Sequence, residues 1–290
     1  MGPEAPHVAA GGIASYYDNL LRFLDVARRV GRGGGTPYGS THRFLAGEGG
    51  DAASPERLDW LVLEAALAAD LPQAPQVLDA GCGTGGTIFR WHERIGGQYD
   101  GLTLSREQHR RASAEAARRG VASNCRFHLR SYHDPLGGEC DAVVAIESLA
   151  HSSNPARAIA NIAASLAPGG LLLIVDDMPE GASEPNMLAA FKAGWRCPAL
   201  LSPDQYRQAL NAAGLELRHD TDLTARLRPR PLWWLRVLIA AFGLARTLTP
   251  RPWLKDALGA IQGGFYLEAL YRRRAMSYRL LVALKPKNGA

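Results

Sequence analysis

The sequence predicts an α/β fold: a mostly parallel sheet of seven strands, with helices on both faces and a last strand that returns antiparallel. Three observations carry that expectation. Short strand-like segments at 76–80, 99–104 and 141–147 are each followed by a stretch with helical spacing, and strand–helix alternation builds a parallel sheet. Residues 142–146 are apolar without a break, as in a strand buried on both faces. Four glycines fall within the six positions 81–86, directly after the first run. A strand that turns sharply into a helix needs glycine there, because the backbone takes φ > 0 and must approach a ligand without a Cβ.

The chain has 290 residues, long for one domain and short for two, so one α/β domain with insertions is expected. Its formal charge of +5 is weak support for nucleic acid and suits an anionic lipid or anionic substrate equally. The excess is mostly arginine after residue 225. Cysteines 82, 125, 140 and 197 show no C-x-x-C spacing, which disfavours a metal or disulfide framework and suits a reducing cytoplasm. No apolar core of a signal peptide is present in the first twenty residues. The longest apolar run, 232–245, is interrupted by Arg236 and too short to span a bilayer.

Taken in order, residues 1–12 are rich in Gly, Ala and Pro and expected to be disordered. Residues 13–29 have helical periodicity. The glycine-rich segment 33–44, with Tyr38, His42 and Phe44 at its end, suits a loop closing over a ligand or a plain linker. Ser54 and Pro55 open a helix to about residue 69, with Leu58, Leu61, Val62, Ala65 and Leu67 inward. Strand 76–80 leads through Gly81, Gly83 and Gly86, a G-x-G-x-x-G spacing, into helix 86–95. Strand 99–104 precedes a helix that starts at Ser105, where Ser105 and Gln108 fit a capping box, and stops at Gly120. Strand 124–129 follows. Strand 141–147 delivers Glu147 and then His151 to the carboxyl edge of the sheet, where open α/β sheets place chemistry. Asn154 and Pro155 cap a helix to about 166, and residues 167–170 turn into strand 171–176. Residues 178–201 are an insertion. Ser202 and Gln205 form a second capping box, opening a helix that Gly214 ends, before strand 215–223. Residues 224–276 are a second insertion, rich in Arg, Trp, Leu and Pro, and 277–284 alternate as the last strand.

Asp79, two before the first glycine, separates two ligand classes. A carboxylate there suits a cationic or amine-bearing ligand better than a pyrophosphate. Residues 77–86 resemble the first motif of class I S-adenosylmethionine-dependent methyltransferases, which have a Rossmann-like sheet. Further stretches resemble the sterol, γ-tocopherol and cyclopropane fatty acid synthase branch: Tyr16-Tyr17-Asp18 with 38–44 as a lid, 101–108, 147–151, and 166–176. The resemblance covers roughly residues 13–285, with 13–50 as N-terminal helix and lid and the two insertions as caps.

That resemblance implies S-adenosylmethionine as cofactor, held by Tyr38, Asp79, Gly81, Gly83, Thr84, Thr103, Leu104, Gln108, Ser131, Tyr132 and Ile146. Thr103 and Gln108 would replace the acid that more often ends the second strand; Ser131, Tyr132 or His133 would replace an adenine-binding Asp. No metal site is expected. Glu147 and His151 are the candidate catalytic groups, needed only where the acceptor must lose a proton. Tyr17, His42, Trp195, Tyr206, Trp233 and Trp234 are candidates for the acceptor pocket, whose aromatic faces would stabilise a cation. The arginines near Trp233 and Trp234 suit a diphosphate, a solvated face or interfacial snorkelling.

The expected function is methyl transfer to a small, largely apolar acceptor, first of all C-methylation of an isoprenoid or phenolic lipid. N- or O-methylation of a natural-product amine or hydroxyl is the alternative. A nicotinamide oxidoreductase or a non-catalytic nucleotide-binding module is less favoured. Expected partners are a hydrophobic or prenylated small molecule and no nucleic acid; peripheral membrane contact and a homo-oligomer stay open.

Overall fold

The structure, a computed structural model, describes residues 6–29, 45, 56–181 and 184–287. In chain order the described elements are α1 (Pro6–Arg29), α2 (Glu56–Ala68), β1 (Gln76–Ala80), α3 (Gly86–Ile95), β2 (Gln98–Thr103), α4 (Arg106–Arg119), β3 (Cys125–Leu129) and β4 (Cys140–Ile146). Then come α5 (Pro155–Ser165), β5 (Leu166–Pro179), α6 (Pro185–Trp195), α7 (Pro203–Ala212), β6 (Glu216–Asp222), α8 (Leu232–Leu248), α9 (Pro252–Arg272) and β7 (Met276–Leu284). The sheet order is β3-β2-β1-β4-β5-β7-β6, with β7 antiparallel to both neighbours. The expected fold class therefore holds.

The period of two survives inside the continuous apolar strands. In β5, Leu171, Leu173 and Val175 join the core under α2, α3, α6 and α9, while Leu172 and Ile174 join the core under α5 and α7. Each fully buried residue of this size contributes roughly 1.5–3 kcal/mol relative to exposure. The polar edge strand β6 carries Asp220, which pairs with Arg207 and Arg279, a charged edge that discourages further strand addition.

Local signals act where the sequence places them. Ser202 and Gln205 close both halves of the capping box of α7, and the Asn154 side chain accepts from the Arg157 N–H at the start of α5. At α4 only half of the expected box forms. Ser105 Oγ accepts from the Gln108 N–H, but the Gln108 side chain turns away to Thr103.

Four expectations are corrected. Residues 6–12 belong to α1, not to a disordered terminus; residues 1–5 lie outside the described set. Residues 167–170 do not end β4's successor helix in a free turn. The Gly169 N–H donates to the Lys285 carbonyl and the Lys285 N–H to the Gly170 carbonyl, so β5 starts at Leu166. Leu67, expected inward, is 38% exposed, while Leu63 and Ala66 are buried in its place. The insertion 178–201 is shorter than expected, because β5 runs to Pro179 before α6. The helix cap at Ser54 and Pro55 and the lid at 33–44 lie outside the described residues.

Candidate active site

A cavity of about 560 Å³ opens at the carboxyl ends of β1, β2 and β4. Its floor is the turn after β1. Gly81, Gly83 and Gly85 all have positive φ there, at 123°, 54° and 86°. A Cβ on Gly81 would lie 2.4 Å from the Cβ of Ser148, whereas one on Gly83 would meet nothing within 4 Å. Gly81 is thus required by the fold, and Gly83 leaves space on the cavity wall. The Cys82 N–H ties the turn to the Leu102 carbonyl at 2.9 Å. Helix α3 then starts at Gly86 with no side-chain cap, and Gly86 and Thr87 line the cavity. Uncapped N–H groups at a helix start favour a carboxylate or another anion.

The second wall comes from β2 and α4. Thr103 Oγ1 donates to Gln108 Oε1 at 2.7 Å and accepts from the Ser105 N–H at 3.1 Å. With its carbonyl end engaged, Gln108 keeps its amide N–H pair as the donor end. The third wall is Tyr132, whose hydroxyl donates to the Ser148 carbonyl at 3.1 Å. Burial pushes the Tyr132 phenol well up, so it stays a donor. Ser148 Oγ is buried with no hydrogen-bond partner among the described residues and sits on the cavity wall. A buried hydroxyl without a partner costs roughly 1–3 kcal/mol, so a ligand that satisfies it is favoured.

After β4 the chain enters a strained turn. Glu147 has φ of 51°, a left-handed conformation that costs a non-glycine residue roughly 1–2 kcal/mol. Its N–H donates to the Val175 carbonyl at 2.7 Å, and its Oε1 accepts from the Tyr278 hydroxyl at 2.6 Å. The 3-10 turn Leu149–His151 follows, and the Ala150 N–H donates to Asp176 Oδ2 at 2.8 Å. His151 Nδ1 faces the Arg196 carbonyl at 3.4 Å. A carbonyl only accepts, so Nδ1 carries the proton there. Burial pulls the His151 pKa down, leaving a neutral ring whose Nε2 is an acceptor. The Glu147 charge pulls the other way.

The roof is helical. Tyr16 and Tyr17 of α1 stand 6.4 and 5.4 Å from the His151 ring, centroid to centroid, and Trp195 of α6 completes the apolar side. The Trp195 Nε1–H donates to the Ala260 carbonyl at 2.9 Å, which fixes the indole against α9. Helix α1 is held from two sides: Asp18 accepts from Ser105, Asp25 pairs with Arg111, and Asn19 donates to Asp256.

The cavity thus brings together most of the residues singled out from sequence. Gly81, Gly83, Thr84, Thr103, Leu104, Gln108, Ser131, Tyr132 and Ile146 line it, as do Glu147, His151, Tyr17 and Trp195. Asp79 does not reach the wall; it is buried at the end of β1, where its backbone carbonyl accepts from the Gly81 N–H. Three acceptor-pocket candidates are corrected. Tyr206 is buried beneath the sheet edge and donates to Asp176 at 3.1 Å, and Trp233 and Trp234 are exposed on α8, away from the cavity. Tyr38 and His42 lie outside the described residues. Tyr16 was singled out only as part of the lid resemblance, and Ser148, Asp176 and Tyr278 were not singled out as site residues. Asp176 had a signal, since it ends an apolar run at the same sheet edge as Glu147; Tyr278 had none.

Comparison with known proteins adds the following. A family model described as a methyltransferase domain matches residues 53–220. An O-methyltransferase of Penicillium expansum is 31% identical over 173 residues, 59% of this chain and 63% of that protein. The chloroplastic tocopherol O-methyltransferase of Arabidopsis thaliana is 28% identical over 225 residues, 73% of this chain and 63% of that protein. These matches span less than two thirds of the relatives' own length. Among solved structures, the [4+2]-cyclase SpnF is 26% identical with a TM-score of 0.72, covering 94% of this chain and 95% of that one.

Proposed function

The chain belongs to the class I S-adenosylmethionine-dependent methyltransferases, and from that premise we propose that it methylates a hydroxyl on a small, largely apolar acceptor. The glycine turn, the uncapped start of α3, the Thr103–Gln108 pair and the unsatisfied Ser148 hydroxyl fit a ligand with a carboxylate, an amine and a ribose. S-adenosylmethionine, when bound, supplies a methyl already activated on a sulfonium, so the protein mainly aligns the acceptor and excludes water. Tyr16, Tyr17 and Trp195 provide the apolar surface for that acceptor.

One observation carries the hydroxyl reading. His151 is buried, is held neutral, and has Nδ1 on a carbonyl, which leaves Nε2 to take the hydroxyl proton. The Glu147 carboxylate would then stabilise the imidazolium. The similarity to O-methyltransferases, one of them a tocopherol O-methyltransferase by its name, supports a hydroxyl acceptor. C-methylation of an isoprenoid or phenolic lipid is the second reading. It is favoured by Glu147, Tyr16 and Tyr17 lining the same cavity, where a carbocation would be stabilised and deprotonated.

The two readings separate in turnover measured as S-adenosylhomocysteine release over a panel of phenols and prenyl acceptors. For a hydroxyl acceptor, His151→Asn should lower turnover by roughly 10²–10⁴-fold with cofactor affinity intact. The deficit should shrink as pH rises toward the acceptor's own pKa. Full turnover of His151→Asn beside a dead Glu147→Gln would give the site to a carbon acceptor. Cofactor binding with no S-adenosylhomocysteine from any acceptor would point to a reaction other than methyl transfer.

A further inference from the structure

Helix α8 is apolar on two opposite sides, and α9 covers only one of them. Leu235, Ile239 and Phe242 recur at i, i+4 and i+7 and face α9. Leu235 is buried, Phe242 stacks edge-on against Phe265 at 5.2 Å, and Gln262 donates to the Ile239 carbonyl at 2.9 Å. A second stripe, Trp233, Val237, Leu244 and Leu248, recurs at i, i+4, i+11 and i+15, which places it on the opposite side of the helix. These four and Trp234 are between 42% and 74% exposed. They are five of the nine large apolar side chains exposed among the described residues. A soluble surface helix normally turns charge outward at such positions.

The chain segment that carries this stripe has charge of one sign. Residues 223–255 contain six arginines and Lys255 and no Asp or Glu. Those seven cations exceed the formal charge of +5 on the whole chain, so the remainder of the protein is slightly negative. Arg228 and Arg230 precede the helix, Arg236 flanks the stripe, and Arg251 and Lys255 follow its end. Arg230 is paired with Glu268, and Arg272 braces the backbone at Pro229 and Arg230, so the approach to the Trp pair is a fixed surface.

We propose that the outward face of α8 docks on the headgroup layer of an anionic phospholipid bilayer. The stripe enters the acyl boundary, Trp233 and Trp234 sit at the interface, and the flanking arginines meet lipid phosphates. Charge selects this occupant over a second copy of the chain. A two-fold contact through α8 would set the same cations against each other, whereas an anionic surface complements them. No helix among the described residues is long and apolar enough to cross a membrane, so the contact is peripheral. It is independent of which acceptor the cavity takes.

The test uses the full chain and sedimentation with vesicles of phosphatidylcholine alone or mixed with phosphatidylglycerol. Partitioning should rise roughly tenfold or more on adding the anionic lipid and fall as salt is raised. The exposed double variant Trp233→Ser/Leu244→Ser and the charge variant Arg228→Glu/Arg236→Glu should each abolish it, with unaltered thermal unfolding. Wild-type chain that stays in the supernatant with mixed vesicles overturns the proposal. So does a lipid-free dimer that Trp233→Ser/Leu244→Ser dissociates while vesicle binding is unchanged, since the face would then belong to a second copy.

Discussion

Asp176 of β5 has three donors on its carboxylate: the Ala150 and Asp177 N–H groups and the Tyr206 hydroxyl. Burial, joined by the Asp177 charge, nevertheless pushes its pKa up to about 7 from the usual 3.8, with the donors pulling back. Between about pH 4 and 7 the folded chain therefore holds a proton that the unfolded chain has released. This contribution to stability is fully present below about pH 4 and lost as pH rises through 7. Asp176→Asn should flatten that decline, which denaturant unfolding measured across the same pH window would read; identical slopes for variant and wild type would count against it. The residue also holds the turn that carries His151, so it positions a catalytic candidate without touching the cavity. The position of Asp176 at the end of an apolar run was legible locally, but its partners were not. Tyr206 reads from sequence as an aromatic for the acceptor pocket, and only the packing of α7 under β5 turns it toward Asp176. Glu147 poses the same problem in reverse, because its partner Tyr278 lies on β7, far along the chain.

The turn between β1 and α3 was legible as a glycine turn, because its constraint is backbone geometry, although its third left-handed glycine is Gly85 and not the Gly86 of the expected spacing. Its glycines are not equivalent, and they predict different losses. Gly81→Ala puts a Cβ into Ser148 at a φ of 123°, so it should lower stability by roughly 1–3 kcal/mol and cofactor affinity with it. Gly83→Ala faces open space at a φ of 54°, where the conformational cost is roughly 1–2 kcal/mol and the new methyl enters the cavity. Its affinity loss should exceed its stability loss. Thermal unfolding with and without S-adenosylmethionine separates the two, and equal behaviour of both variants would remove the distinction. Element α8 shows where reading by residue type stops. Trp233 and Trp234 suggested a pocket, but a helix with two apolar stripes can satisfy either, and only the docking of α9 decides which side is left outside.

At the scale of the molecule, a parallel sheet was expected from strand–helix alternation and an antiparallel last strand from the alternation at 277–284, while the order β3-β2-β1-β4-β5-β7-β6 came from the structure alone. The roof was expected only through the resemblance of Tyr16-Tyr17-Asp18 to a lid segment, and its anchoring was not. Helix α1 crosses the cavity because Asp18, Asn19 and Asp25 meet groups on α4 and α9, and no local pattern encodes contacts so distant in sequence. The roof and the glycine turn together enclose the cavity proposed for the cofactor. Calorimetric titration of the wild-type chain and of Gln108→Ala with S-adenosylmethionine and with NAD tests that assignment most directly. Wild type should bind S-adenosylmethionine and not NAD, and Gln108→Ala should bind it more weakly by more than its loss of stability explains. NAD binding with no heat from S-adenosylmethionine would contradict it.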